Sequence, residues 1–173
     1  MQLRALDWNM DGPFRNYAAV QVFHANKGEG NSFATIGFPG FMGALSGMND
    51  QKLAISEIGV SYPDASYGKE SRIGVPFIFM LREILQFDTT LEQAAHRMKT
   101  KRRTCDLILG VGDGKSSQVR GFQYSYSVLT EISDTNFIPV NSTWHAPIPD
   151  AVYWGMDWIC PTFNTVLGQM IRK

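Results

Sequence analysis

Arg4 and Asp7, within Arg4-Ala5-Leu6-Asp7-Trp8, are the first residues in this chain whose types and spacing suit chemistry. A guanidinium and a carboxylate so placed form an ordinary ion pair at a strand end. By residue pattern alone the ion pair is the expected reading. The two cysteines, Cys105 and Cys160, fit no zinc-ligand spacing and allow at most one disulfide. Without neighbours that lower its pKa, a cysteine behaves as a small hydrophobe. His24, His96 and His145 stand far apart, with no two-ligand spacing, so surface or hydrogen-bonding roles are expected of them rather than metal binding.

Two motifs invite sharper readings. Gly110-Val111-Gly112-Asp113-Gly114-Lys115-Ser116 has the look of a phosphate loop, but the Walker spacing needs glycine at position 109, which is leucine. Such a loop should also open a helix, whereas the sequence continues strand-like. A hairpin turn at Asp113-Gly114 is expected instead, because Asp-Gly supplies the positive φ values of tight hairpins. Asn141-Ser142-Thr143 matches the N-glycosylation acceptor pattern, which is used only in a chain that enters the secretory pathway.

The elements that would position these residues follow from composition and periodicity. With 173 residues, 44% of them hydrophobic, the chain can bury one sizeable core. Lys+Arg and Asp+Glu both number 16, so no global positive field draws phosphate backbones, and nucleic acid is not an expected partner. No apolar run is long enough for a transmembrane segment, and the opening residues lack the apolar stretch of a secretory signal.

Strands are expected over residues 17–24 and 32–37, joined by turn residues at 27–31, with two more short strands in 44–49 and 52–58 after a glycine-punctuated turn. Residues 61–71 read as a loop. Pro76 opens a helix over 77–85 that is apolar almost all round and so expected to be buried. Thr89 and Glu92 have capping-box spacing ahead of a second helix, in which Leu91, Ala94, Ala95 and Met98 share one face. Its basic outer run, Arg97, Lys99, Lys101, Arg102 and Arg103, reads as a solvated face. Strand character returns at 105–109, a turn falls at 110–114, and a long strand spans 118–132 with Phe122, Tyr124 and Tyr126 at alternate positions. The sum is an α+β layered core over residues 1–138, followed by an aromatic, proline-rich arm over 139–173 that carries Trp144, Trp154 and Trp158.

The order of landmarks resembles the acid-ceramidase and penicillin-acyltransferase-like branch of the N-terminal-nucleophile hydrolases. Arg4-Ala5-Leu6-Asp7-Trp8 is similar to that branch's Arg-Asn-x-Asp-aromatic strand. Phe38-Pro39-Gly40-Phe41-Met42-Gly43 through Ser46-Gly47-Met48-Asn49 resembles its glycine-rich turn and Gly-Met-Asn element. Gly74-Val75-Pro76 with Leu81-Arg82-Glu83-Ile84-Leu85, then Thr89-Thr90-Leu91-Glu92-Gln93-Ala94, resembles its helix pair. Leu107-Ile108-Leu109-Gly110 into Asp113-Gly114 resembles the strands returning beneath.

What the resemblance implies is an αββα sandwich, two antiparallel sheets between helical layers, that cleaves amides or transfers their acyl groups. A precursor of this kind cuts itself to expose a cysteine whose α-amino group, of pKa roughly 8, acts as general base. Arg4 and Asp7 would line that site. Asn141 would donate into the oxyanion hole, a role that excludes its carrying a glycan. The implied substrate is a small-molecule or lipid-like N-acyl compound, no cofactor is implied, and the implied compartment is lysosomal or secreted. No cysteine precedes Arg4, so the chain reads as a fragment lacking the nucleophile, inactive alone and dependent on a complementary chain or prone to self-association. The alternative is a noncatalytic module on the same fold, binding a partner or a lipid through its tryptophan arm.

Overall fold

The computed structural model describes residues 16–59 and 71–133. Seven strands form one sheet in chain order: β1 (Ala19–Phe23), β2 (Phe33–Gly37), β3 (Ser46–Asn49), β4 (Leu53–Gly59), β5 (Leu107–Asp113), β6 (Gln118–Tyr124) and β7 (Leu129–Ile132). Every pairing from β1 through β6 is antiparallel. Between β4 and β5 the chain builds two helices, α1 (Phe77–Phe87) and α2 (Leu91–Thr100).

Alternation decides which face the helices cover. In β4, Leu53, Ile55 and Glu57 are buried; in β5, Leu107, Leu109, Val111 and Asp113 are; the residues between them are not. Because successive strand residues point to opposite sides, this pattern puts one face of the sheet in the core and leaves the other outside it. Met80, Leu81, Ile84 and Leu85 of α1 and Leu91, Ala94, Ala95 and Met98 of α2 pack onto that core, which also holds Phe33, Phe122 and Tyr124. The i, i+3, i+4, i+7 face expected of the second helix is thus the buried one.

Several expectations need correction. Helix α1 is buried on one side only, with Phe79 and Phe87 exposed, because among the described residues only one of its faces meets the sheet. The cap of α2 falls one residue later than the Thr89–Glu92 spacing suggests: Thr90 accepts from the Gln93 backbone N–H, while the Gln93 side chain accepts from the Thr89 N–H at 2.7 Å. Residues 110–113 are strand rather than turn. The hairpin lies at 114–117, opposite Asp113↔Gln118, and its positive φ is at Ser117 (56°), not at Gly114. Cys105 sits two residues ahead of β5, half-buried against the core, instead of within an interior strand.

The long 118–132 strand is two strands. Ser125 interrupts it by donating its N–H to the Val128 carbonyl at 2.8 Å and accepting from the Val128 N–H at 2.9 Å, which turns the chain and leaves Tyr126 exposed. Arg103 is buried rather than solvated. Its guanidinium donates to the carbonyls of Ser125 and Met98, both at 2.7 Å, and lies over the Tyr124 ring. Among the described residues there is one sheet with the helix pair on one of its faces, consistent with the expected α+β layering.

Candidate functional site

Arg4, Asp7 and Asn141, the residues expected to do or support chemistry, lie outside the described residues, as do Cys160, His145 and the 139–173 arm. The described residues form a platform of one sheet backed by two helices.

One anchor of that platform is the Gly-Met-Asn element, now the end of β3. A Cβ on Gly47 would meet the Ala34 carbonyl and stand 2.8 Å from Leu85 Cδ1, so only glycine lets α1 lie this close to the sheet. Gly43 works likewise, since a Cβ there would stand 2.5 Å from Ile78 Cβ. Two residues beyond Gly47, the buried Asn49 sends its Nδ2 to the carbonyls of Leu85 and Asp88, each at 2.9 Å, and accepts with Oδ1 from the N–H groups of Gln51 and Leu53. One amide therefore caps the end of α1 and shapes the β3–β4 turn, satisfying carbonyls that a helix terminus leaves unpaired.

The turn between α1 and α2 is fixed by charge. Arg97 grips Asp88 bidentately, Nε to Oδ2 at 2.8 Å and NH2 to Oδ1 at 2.7 Å, and reaches Glu83 at 3.0 Å. The hydrogen bond to Asp88 holds the guanidinium pKa above its ordinary value, against the opposing effect of burial. An open cleft beside this cluster is lined by Phe87, Gln93, His96 and Lys101. Its one deep cation, Arg97, is committed to the two carboxylates, so the cleft is a by-product of how α1 meets α2.

The phosphate-loop motif is spent on structure as well. Lys115 Nζ donates to the carbonyls of Gln51 and Thr89, both at 2.6 Å, and pairs with Asp113 at 2.9 Å. Burial works to raise the Asp113 pKa, but hydrogen bonds from the Lys115 side chain and backbone outweigh it, and the net shift is downward. His24 follows β1 and His96 lies on α2. No cluster of three metal-ligating side chains occurs among the described residues. At the foot of β6, burial pushes the Tyr124 phenol pKa up, and the neighbouring Cys105 adds to the rise.

The second face of the sheet is chemically uniform. In register, Val22, Ala34, Met48, Ala54, Gly112 and Val119 form one row across six strands, and Val20, Ile36, Ser46, Ser56, Gly110 and Gly121 form the next. Neither row carries a charge. Val20, Val22, Ile36, Met48 and Val119 are exposed, while the central strands present small side chains or none. Two serines apart, these rows lack the polar residues that a sheet face meeting only water carries.

No family model matches the chain. The Dictyostelium discoideum protein dcd1A is 33% identical over an alignment that covers all of this chain and 40% of that protein. Protein dcd1B of the same organism is 32% identical over 80% of this chain and 27% of its own length. The chain thus spans less than half the length of these curated relatives. Among solved structures, the Caenorhabditis elegans N-acylethanolamine-hydrolyzing acid amidase ortholog aligns with a TM-score of 0.52 and 14% identity, over 75% of this chain and 58% of that one. Helix pair and sheet therefore share their fold with the aligned part of that structure.

Proposed function

We propose that this chain forms the helix-backed sheet of a cysteine N-terminal-nucleophile hydrolase that cleaves linear amides or transfers their acyl groups. The observation that carries the reading is the fold match to the Caenorhabditis elegans N-acylethanolamine-hydrolyzing acid amidase ortholog, which covers three quarters of the chain. The uncharged second face supports it, because a sandwich of this type packs a second sheet against that face. In this reading the nucleophile is a cysteine outside residues 1–173. Its α-amino group takes the thiol proton, the thiolate attacks the amide carbonyl, the C–N bond breaks as the α-ammonium returns that proton to the departing amine, and the acyl group then passes from the thioester to water or to another amine. Arg4 and Asp7 hold the thiol and amine, and Asn141 donates to the developing oxyanion. The substrate class is N-acyl, small or lipid-like, and residues 139–173 form an arm beyond the core.

The experiment is to express the longer polypeptide that contains this chain and weigh it intact. Self-cleavage directly before a cysteine, followed by turnover of an N-acyl amide and loss of both in Asp7→Asn, is the expected result. An uncut product without amidase activity would overturn the enzyme reading and leave a noncatalytic binding role on the same fold.

A further inference from the structure

Thr35, at the centre of β2, is 2% exposed, and its Oγ1 is buried with no hydrogen-bond partner among the described residues. A hydroxyl taken out of water keeps a partner in nearly all folded proteins, because an unpaired one destabilises the fold. The strands on both sides of Thr35 are among the described residues. On one side it stands opposite Gly47 of β3, which has no side chain and over which Leu85 of α1 closes down to the sheet. On the other side it stands opposite Gln21 of β1.

Gln21 alternates with the exposed Val20 and Val22, so it shares the helix side of the sheet with Thr35. Its Oε1 is also buried with no hydrogen-bond partner among the described residues. That oxygen lies over Gly37, 3.8 Å from where a Cβ on this glycine would stand. Gly37 is itself buried, two residues from Thr35 on the same face of β2. A Cβ placed there would find one other atom of the described residues within 4 Å, Phe41 Cδ1 at 3.6 Å. The missing side chain thus leaves a buried space of methyl size, which is also the size that admits a water molecule. An acceptor without a donor borders it, beside a hydroxyl that can donate and accept.

We propose that one buried water molecule occupies the space over Gly37, accepting a hydrogen bond from Thr35 Oγ1 and donating one to Gln21 Oε1. Buried waters bind about two to four polar partners, and these two side chains supply two of them from adjacent strands. Phe41, on the turn that follows β2, closes the space from above. The water is then part of the joint between β1 and β2, whether or not the chain belongs to an amidase.

The test is a crystal structure of the full chain at a resolution that shows ordered solvent, with Gly37→Ala and Thr35→Val beside it. Magnetic relaxation dispersion of the water signal counts long-lived internal waters of the same proteins in solution. The parent should show one water within hydrogen-bonding distance of both Thr35 Oγ1 and Gln21 Oε1. Gly37→Ala fills the space with a methyl group at ordinary contact distances, on a backbone without positive φ, and should remove that water and lower the count by one. Thr35→Val keeps the shape, loses the hydroxyl and should do the same. A parent in which Thr35 and Gln21 bond each other directly, or in which the space holds no solvent, overturns the proposal. So does a water that stays in place in either variant, since the space or the hydroxyl would then not be what holds it. The parent structure decides alone if a variant fails to fold.

Discussion

Asn31 and Asn49 donate to the same two carbonyls: both Nδ2 atoms reach Leu85 O and Asp88 O, Asn31 at 3.3 and 2.9 Å and Asn49 at 2.9 Å to each. The end of α1 is thus held twice, from the β1–β2 loop and from the tip of β3. The two holds are unequal, because Asn49 is buried and also accepts from two backbone N–H groups. Asn49→Ala is expected to destabilise the fold by about 3 kcal/mol and Asn31→Ala by about 1 kcal/mol, as follows when a buried group loses its partners and a part-exposed one turns to water. Urea denaturation of the two variants measures the difference. Equal losses would mean that Asn49 does no more than duplicate Asn31.

Gly47→Ala should cost about 1–3 kcal/mol, because its Cβ meets the Ala34 backbone and the Leu85 side chain at once and α1 must lift. Gly59→Ala is the control, since a Cβ at Gly59 meets nothing within 4 Å. Its effect should stay within about 0.5 kcal/mol. Thermal unfolding of both variants decides whether close approach at Gly47, rather than loss of glycine as such, is what matters.

For the turn between the helices, Arg97→Lys should cost about 1–2 kcal/mol, because a lysine keeps the charge but cannot span both oxygens of Asp88 and Glu83 together. A double-mutant cycle with Asp88→Asn should return a coupling above about 1 kcal/mol. Independence of the two substitutions would show that the pair is incidental to the turn.

The Asp113 carboxyl lies below its ordinary value of 3.8 in the folded protein. A depressed carboxylate lends stability that is present above its unfolded pKa and is lost as pH falls through the folded one. Asp113→Asn should therefore weaken the protein at pH 7, and the gap between variant and parent should close as pH drops below about 4. Unfolding free energies measured at pH 7, 4 and 2.5 test the sign. A gap that stays constant with pH would assign the loss to packing instead.

Much of the layout was legible because local rules and the fold agree. Apolar, β-forming stretches bounded by turn residues marked the strands at 17–24, 32–37 and 52–58, and the Leu91, Ala94, Ala95, Met98 spacing marked the buried face of α2. What failed depended on partners distant in sequence. Arg103 looks like one more cation in a basic run, and only the return of the chain at Ser125 supplies the carbonyl that buries it. The Asp113-Gly114 turn moved because β4 pairs with β5 as far as Asp113, which holds the glycines at 110 and 112 in strand geometry. The catalytic residues themselves rest on resemblance, since Arg4, Asp7 and Asn141 fall outside the described residues.

The seven-residue pairing of β4 with β5 joins stretches of chain that lie on either side of both helices. Its neighbours in the sheet close by short turns, so this one seam carries the cost of the long loop closure. During synthesis β4 leaves the ribosome well ahead of its partner, and at about 5–20 residues per second its edge stays bare for several seconds. Until β5 arrives, Leu53 and Ile55 offer an apolar strand to any neighbouring nascent chain, which makes the seam a point of dependence on chaperones and on the pace of translation.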